Sequence, residues 1–398
     1  MGLNVSSLLN SIPLIDLNNN HPNNNIENNI TENNQINEQS LLNSYFPNIL
    51  NDEEGEDNNK LKCIKTIRGH RKWCNCLILL KSNNLCSCSG DKSINIYSND
   101  KNFNIILTLS SCHEDFILYM AEIYDNVIAS SSSDGTIKFW KIFINSNDQN
   151  ININNNRYYL MQTIIGHEND IWKILFIKER NELVSCGSDS LIKIWGLNYI
   201  INNNNNNNNE KDLLNYELVK TSHEHKFWIS SIIQVRNFKK NINYLVSGSG
   251  DNTVKFYDIN NNYILIHTIN KALCCQQDTL VNYNDKQFLI GGGRGIFFYV
   301  INFIHFQIEA KIFGGNEEVN TILVLKNNKY IKNGGFLVGG KKCCFYYITE
   351  NTFDHMKIKN KAHEKYIYCL LQIGDNLIAS SSYDNDIKIW EYDEHTFE

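Results

Sequence analysis

A serine, an aspartate four residues on and a tryptophan or tyrosine six residues beyond recur five times in this 398-residue chain. The sets are Ser87/Asp91/Tyr97, Ser130/Asp134/Trp140, Ser185/Asp189/Trp195, Ser247/Asp251/Tyr257 and Ser380/Asp384/Trp390. Each has a histidine upstream: His70, His113, His167, His223 and His363, standing 21, 21, 22, 28 and 21 residues before its aspartate. Four residue types in one order at nearly fixed spacing are an internal repeat. A repeat limits the fold to units that pack against copies of themselves.

Each unit reads as a small antiparallel sheet. In the third, residues 171–177 (IWKILFI), 182–185 (ELVS) and 191–197 (LIKIWGL) are β-branched or aromatic runs divided by short polar breaks. Residues 187–190 (GSDS) form the expected hairpin turn, and the run before the next histidine supplies a fourth strand. Such a sheet has two apolar faces and cannot cover both alone. The copies must therefore pack face to face around a ring.

These units resemble the WD-repeat β-propeller family, whose blades begin near Gly-His and end near Trp-Asp. The matching pieces are Gly69-His70, Gly166-His167 and the endings at Trp140, Trp195, Tyr257-Asp258 and Trp390, and the likeness runs over residues 61–392. The resemblance implies an all-β fold and a structural tetrad of His, Ser, Asp and Trp in each of the five sets. In such a tetrad the aspartate orients the histidine, while serine and indole close a buried polar network. Tyr97 and Tyr257 put a phenol where the family has an indole.

From Tyr257 to Trp390 is too long for one unit. Two degenerate units fill it, residues 289–300 (LIGGGRGIFFYV), ending near Tyr299, and residues 336–348 (FLVGGKKCCFYYI), ending near Tyr347. The expectation is seven blades over residues 60–398. Asn-rich loop insertions at 145–156 and 202–209 lengthen two of the repeats. Such insertions are tolerated because doubling a loop costs only about 0.6 kcal/mol. Residues 61–67 (LKCIKTI) precede the first Gly-His, and no strand follows Trp390. In the family two such ends pair and close the ring.

Residues 1–59 differ in kind. They hold 18 Asn and nine acidic residues with no Lys or Arg, so this stretch carries −9 and leaves the propeller at +3 against a total of −6. A disordered acidic tail is the expectation, interrupted by apolar islands at 8–17 (LLNSIPLIDL) and 41–50 (LLNSYFPNIL). No basic secretory or mitochondrial leader is legible, so the cytoplasm is the expected location, with the nucleus or a membrane surface as alternatives. The start Met1-Gly2-Leu3-Asn4-Val5-Ser6 fits the myristoylation pattern and makes Gly2 a candidate lipidation site. Membrane association is expected only if Gly2 is acylated.

Cys74, Cys76, Cys86 and Cys88 lie near His70 on two adjacent strands. If simple alternation holds, each pair shares a sheet face and a zinc site is conceivable. Small buried structural cysteines are the preferred reading, and no metal or cofactor is expected. Repeated His, Ser and Asp are also the ingredients of a hydrolase triad. Five copies in register are a frame, so no catalytic residue is assigned and the chain is not read as an enzyme. Residues 291–295 (GGGRG) lack a following helix pattern and read as a tight turn.

Function is then expected from surfaces. By the family resemblance, loops into each first strand crowd one rim of the central channel. The candidate protein-binding rim is Arg71, Lys72, Trp73, Phe116, Asp170, Trp172, Phe227, Trp228, Arg294 and Tyr366. Charges of both signs share it, joined by Glu317 and Glu318, which argues against nucleic acid as the main ligand. Protein or peptide partners are expected for a non-enzymatic scaffold or adaptor. The alternative is a substrate receptor of a ubiquitin ligase. Family receptors of that kind often carry Arg after Trp-Asp, whereas the matching positions here are Phe143, Asn198 and Asn260. That departure favours the scaffold.

Overall fold

The computed structural model describes residues 61–144, 157–201, 212–270, 280–291, 297–313, 319–325, 335–340, 345–349, 355–359, 361–393 and 395–396. The expectations for residues 1–59, Gly2, both Asn-rich insertions, Arg294, Glu317 and Glu318 lie outside the described residues.

The described strands form seven four-stranded antiparallel sheets, each read from its inner strand outward. The first holds β2 (Cys74–Leu79), β3 (Leu85–Ser89), β4 (Ile94–Tyr97) and β5 (Ile105–Leu109). The second holds β6 (Ile117–Tyr124), β7 (Val127–Ser132), β8 (Thr136–Ile142) and β9 (Tyr158–Ile165). The third holds β10 (Ile171–Ile177), β11 (Glu182–Gly187), β12 (Ile192–Ile200) and β13 (Leu213–Ser222). The fourth holds β14 (Ile229–Asn237), β15 (Ile242–Ser249), β16 (Thr253–Asp258) and β17 (Ile264–Asn270). The fifth holds β18 (Leu280–Asn282), β19 (Gln287–Ile290), β20 (Phe297–Asn302) and β21 (Gln307–Phe313). The sixth holds β22 (Val319–Leu325), β23 (Gly335–Gly340), β24 (Phe345–Thr349) and β25 (His355–Lys359). The seventh holds β26 (Ile367–Gln372), β27 (Leu377–Ser382) and β28 (Ile387–Glu391), with β1 (Lys62–Ile67) as its outer strand.

Inner strands touch in the order β2, β6, β10, β14, β18, β22 and β26, and β26 returns to β2, so the contacts close on themselves. The core lies between neighbouring sheets. Ile117 and Met120 of the second sheet pack with Cys76, Cys86 and Ile96 of the first. Phe256 of the fourth packs with Phe288 and Ile301 of the fifth. Closure is made by β1, which runs antiparallel to β28 in the register Thr66 to Lys388 and Ile67 to Ile387, as the chain ends led us to expect. Leu61 and Ile67 are buried there. Pairing of the chain's two ends leaves no dangling unit at the seam.

Register corrects the expectations for the two degenerate units. Phe288 pairs with Ile301 and Phe336 pairs with Ile348, as Leu85 pairs with Tyr97 and Leu183 with Trp195. The positions of the tetrad aromatic are thus Ile301 and Ile348, not Tyr299 and Tyr347. By the same ladders Ile290 and Val338 stand where the other sheets have serine. Serine and aromatic positions have thus been exchanged together for aliphatic residues in both sheets.

Candidate functional site

The five polar sets fold as hydrogen-bonded networks, with one change of residue. His70, His113, His167 and His363 place Nε2 2.6–2.7 Å from Ser87, Ser130, Ser185 and Ser380 Oγ. Their Nδ1 atoms lie 2.8–3.2 Å from Asp91, Asp134, Asp189 and Asp384. Trp140, Trp195 and Trp390 donate their indole N–H to the serine at 2.8–3.0 Å. Tyr97 closes its set with a phenol 3.0 Å from Ser87 Oγ.

In the fourth sheet the histidine is His225, not His223. His225 reaches Asp251 at 2.8 Å and Ser247 at 2.7 Å, whereas His223 is exposed. The extra spacing comes from a longer first hairpin, which turns through a 3-10 segment at Phe238–Lys240. A sequence signal for this was present. The paired histidine stands four residues before the inner strand in every complete set, as His225 does before Ile229 and His167 before Ile171. Tyr257 does not close its network: it lies near Ser222 and Ser247, but its buried hydroxyl makes no hydrogen bond of good geometry.

Burial opposes the aspartate charge, yet hydrogen bonds from the histidine and from backbone N–H groups, joined at Asp91, Asp134 and Asp251 by the hydroxyls of Ser93, Thr136 and Thr253, outweigh it. All five carboxyls are held below the usual range, Asp251 at about 2. Burial likewise lowers His113, His225 and His363, even though the facing aspartate pulls the other way. These are neutral histidines locked in one tautomer, well suited to a frame.

The frame aims side chains at the axis of the ring. The residue before each tetrad aspartate donates its N–H to the carbonyl of the residue three after the histidine. The pairs are Gly90 to Trp73, Ser133 to Phe116, Ser188 to Asp170, Gly250 to Trp228 and Tyr383 to Tyr366, at 2.8–3.0 Å. This clamp ties each entry loop to the neighbouring turn. At Gly90 and Gly250 the indole lies flat over the turn, so that a Cβ would meet Trp73 at 2.7 Å and Trp228 at 2.4 Å.

A second device acts two residues later. Six inner strands carry a β-bulge just after their first residue, at Asn75, Leu118, Trp172, Ser230, Asn320 and Tyr368. A bulge re-aims one side chain out of strand alternation. All six of these residues line one cavity of about 440 Å³, together with Trp73, Phe116, Trp228, Asp115, Asp170, Ser133 and Tyr383.

The expected rim residues divide at this mouth. Trp73, Phe116, Asp170, Trp172 and Trp228 line it, while Arg71, Lys72, Phe227 and Tyr366 are exposed and outside its lining. Trp73 stacks on Tyr383 at 5.0 Å and meets Phe116 edge-on at 4.9 Å, which makes an aromatic arc across the seventh, first and second sheets. Lys72 sits over Phe116 at 4.9 Å and Lys365 over Tyr383 at 5.2 Å. Asn75, Leu118, Ser230, Asn320, Tyr368 and Tyr383 were missed in the sequence. For all but Asn320 the signal is positional, five after the paired histidine or one before the aspartate.

A larger hollow of about 940 Å³ lies among other hairpin turns, lined by Lys240, Tyr283, Asp285, His305 and Glu309 among others. Its polar groups are largely committed to each other: Asn302 and Gln287 both donate to Glu309, and Asn237 caps the Asp285 carbonyl. No set of side chains converges there from around the ring, so the mouth is the better candidate.

The alternation assumed for Cys74 and Cys76 also needs correction, while all four cysteines are buried. The inner-strand bulge between Cys74 and Cys76 breaks alternation, so Cys74 packs toward the seventh sheet and Cys76 toward the second. Cys86 and Cys88 join Cys76, and burial pushes the thiols of Cys74, Cys86 and Cys88 up. His70 is spent in its tetrad. No metal-binding group is present among the described residues.

Five segments match the WD domain, G-beta repeat: residues 61–98, 104–141, 158–196, 216–258 and 356–391. The chain belongs to the WD-repeat β-propeller family. The segments cover the sheets that hold polar tetrads and omit the two WD-repeat sheets with aliphatic replacements. The WD40 beta propeller domain of Doa1 superposes with a TM-score of 0.62 over 85% of this chain and 99% of that one, at 16% identity, a likeness of fold alone. Among relatives, Polyadenylation factor subunit 2 of Candida albicans is 33% identical over 92 residues, 23% of this chain and 14% of the relative. Nuclear distribution protein nudF of Aspergillus niger is 27% identical over 169 residues, 42% of this chain and 31% of that one. Protein transport protein SEC13 of Debaryomyces hansenii is 29% identical over 93 residues, 23% and 28% of the two chains. The WD-repeat chain thus spans less than a third of the length of each of these relatives. No helix among the described residues is long and apolar enough to cross a membrane.

Proposed function

We propose that this WD-repeat protein is a non-enzymatic scaffold whose seven sheets act as blades of one ring and whose channel mouth binds a protein or peptide. The observation that carries this is the bulge-built cavity of about 440 Å³, where six inner strands each aim one side chain at the same space. That volume suits one or two inserted side chains, with the surrounding rim making the wider contact. Trp73, Phe116, Trp172 and Trp228 supply the rigid amphipathic anchors from which interfaces draw most of their energy. The relatives are named as a polyadenylation factor, a nuclear distribution protein and a protein transport protein, tasks that share a scaffold rather than a reaction.

The test is affinity purification of partners with the wild-type chain and with a Trp73→Ala/Phe116→Ala/Trp228→Ala variant whose melting is cooperative. Partners held at the mouth should be lost from the variant. An unchanged partner set would overturn this reading.

A further inference from the structure

We infer that the guest of the channel mouth is an arginine side chain presented by a partner protein. This rests on the mouth being the binding site and adds the chemistry of what enters it.

The lining carries two carboxylates, Asp115 and Asp170, both set among aromatic rings. Each is held in place by neutral donors. The Phe116 backbone N–H donates to Asp115 at 2.8 Å. Trp172 donates its indole N–H to Ser188 at 2.7 Å, and Ser188 in turn donates to Asp170 at 3.1 Å. Neither carboxylate has an ion-pair partner among the described residues. Two fixed negative charges in a partly desolvated aromatic hollow select a cation.

The rings already serve cations at their outer edge, where Lys72 and Lys365 lie over Phe116 and Tyr383. Those ammoniums are exposed and screened by water. Lys173 is buried beside the mouth, but its ammonium lies 3.2 Å from Ser231 Oγ and over the Tyr119 ring. A guanidinium fits the remaining chemistry better than a second ammonium. It is planar enough to lie against a ring, presents a fork to a carboxylate, and sheds its hydration more easily.

The experiment follows tryptophan fluorescence of the full chain as short glycine-flanked peptides are added, containing arginine, citrulline or lysine. Citrulline keeps the shape and removes the charge. The arginine peptide should shift the emission and bind about tenfold tighter than either of the others, with the advantage shrinking as salt is raised. Asp170→Asn and Asp115→Asn should each weaken arginine binding and leave citrulline binding unchanged. Asparagine still accepts from Ser188, so the local bonds survive the first substitution.

Equal affinity for arginine and citrulline, no binding by either, or indifference to both carboxylate variants would overturn the cationic guest. A lysine peptide that binds as tightly would overturn the choice of arginine. If the aromatic triple variant loses partners while arginine and citrulline do not differ, the mouth stands as a binding site and only its assigned guest falls. If that variant keeps every partner, the mouth reading has failed first.

Discussion

His223 and His225 stand two residues apart, and only the second is buried against a carboxylate and a serine. Removing that imidazole would leave Asp251 and Ser247 without a shared partner. His225→Ala should therefore cost about 1–3 kcal/mol, while His223→Ala on the exposed loop should stay within about 0.5 kcal/mol. Urea midpoints of the two variants decide it, and equal losses would refute the assignment. The two tetrad tyrosines offer a matched contrast. Tyr97 shares a hydrogen bond with Ser87, whereas the Tyr257 hydroxyl is buried without one. Tyr97→Phe should lose about 1 kcal/mol, and Tyr257→Phe should be neutral or stabilising, because it deletes an unsatisfied group. Loss of similar size in both would mean that Tyr257 is hydrogen-bonded in solution. The difference between these residues was not legible in the sequence, since both match the repeat equally well.

At the scale of the element, alternation was a good guide to which runs are strands and a poor guide to where single residues point. The strands of the third sheet start where their β-branched runs begin, at Ile171, Glu182 and near Ile192. The inner-strand bulge is invisible to such a pattern, because it depends on pairing register with a neighbour. That is why Cys74 and Cys76 part company, and why Asn75, Leu118 and Ser230 passed unnoticed as channel residues. Ring closure was legible because it needs only a left-over strand before the first repeat and an open edge on the last. The strand β1 covers β28, and Leu61 and Ile67 enter core clusters on either side of the seventh sheet. Deleting residues 61–67 should expose the β28 edge and abolish cooperative thermal unfolding. A truncated protein with an unchanged melting midpoint would show that closure does not depend on β1.

Across the whole molecule, among the described residues, the polar networks are distributed unevenly, five sheets with paired His, Ser and Asp against two in which Ile290 and Val338 stand at the serine position. Recognition of the fold from sequence rested on the five, and the weakest-matching arc is the one where aliphatic residues stand at both the serine and the aromatic positions. The five networks also give the ring a shared response to acid. His113, His225 and His363 have folded values below the ordinary one, so between the two values the unfolded chain binds more protons than the folded one. Their stabilisation is full above the unfolded histidine value of about 6.5 and is lost as pH falls through the lowered folded values. The aspartates are depressed as well, Asp251 to about 2. Their contribution is full above the unfolded value of about 3.9 and disappears as pH falls through the folded values. Both sets have the same sign, so stability can only decrease on acidification from these groups. Urea midpoints should be flat from about pH 8 to 7, decline below about 6.5 and fall steeply below about 4. A midpoint that rose between pH 7 and 5 would mean the histidines gain protons on folding, as ion-paired imidazoliums, and the neutral-frame account of the tetrads would be wrong.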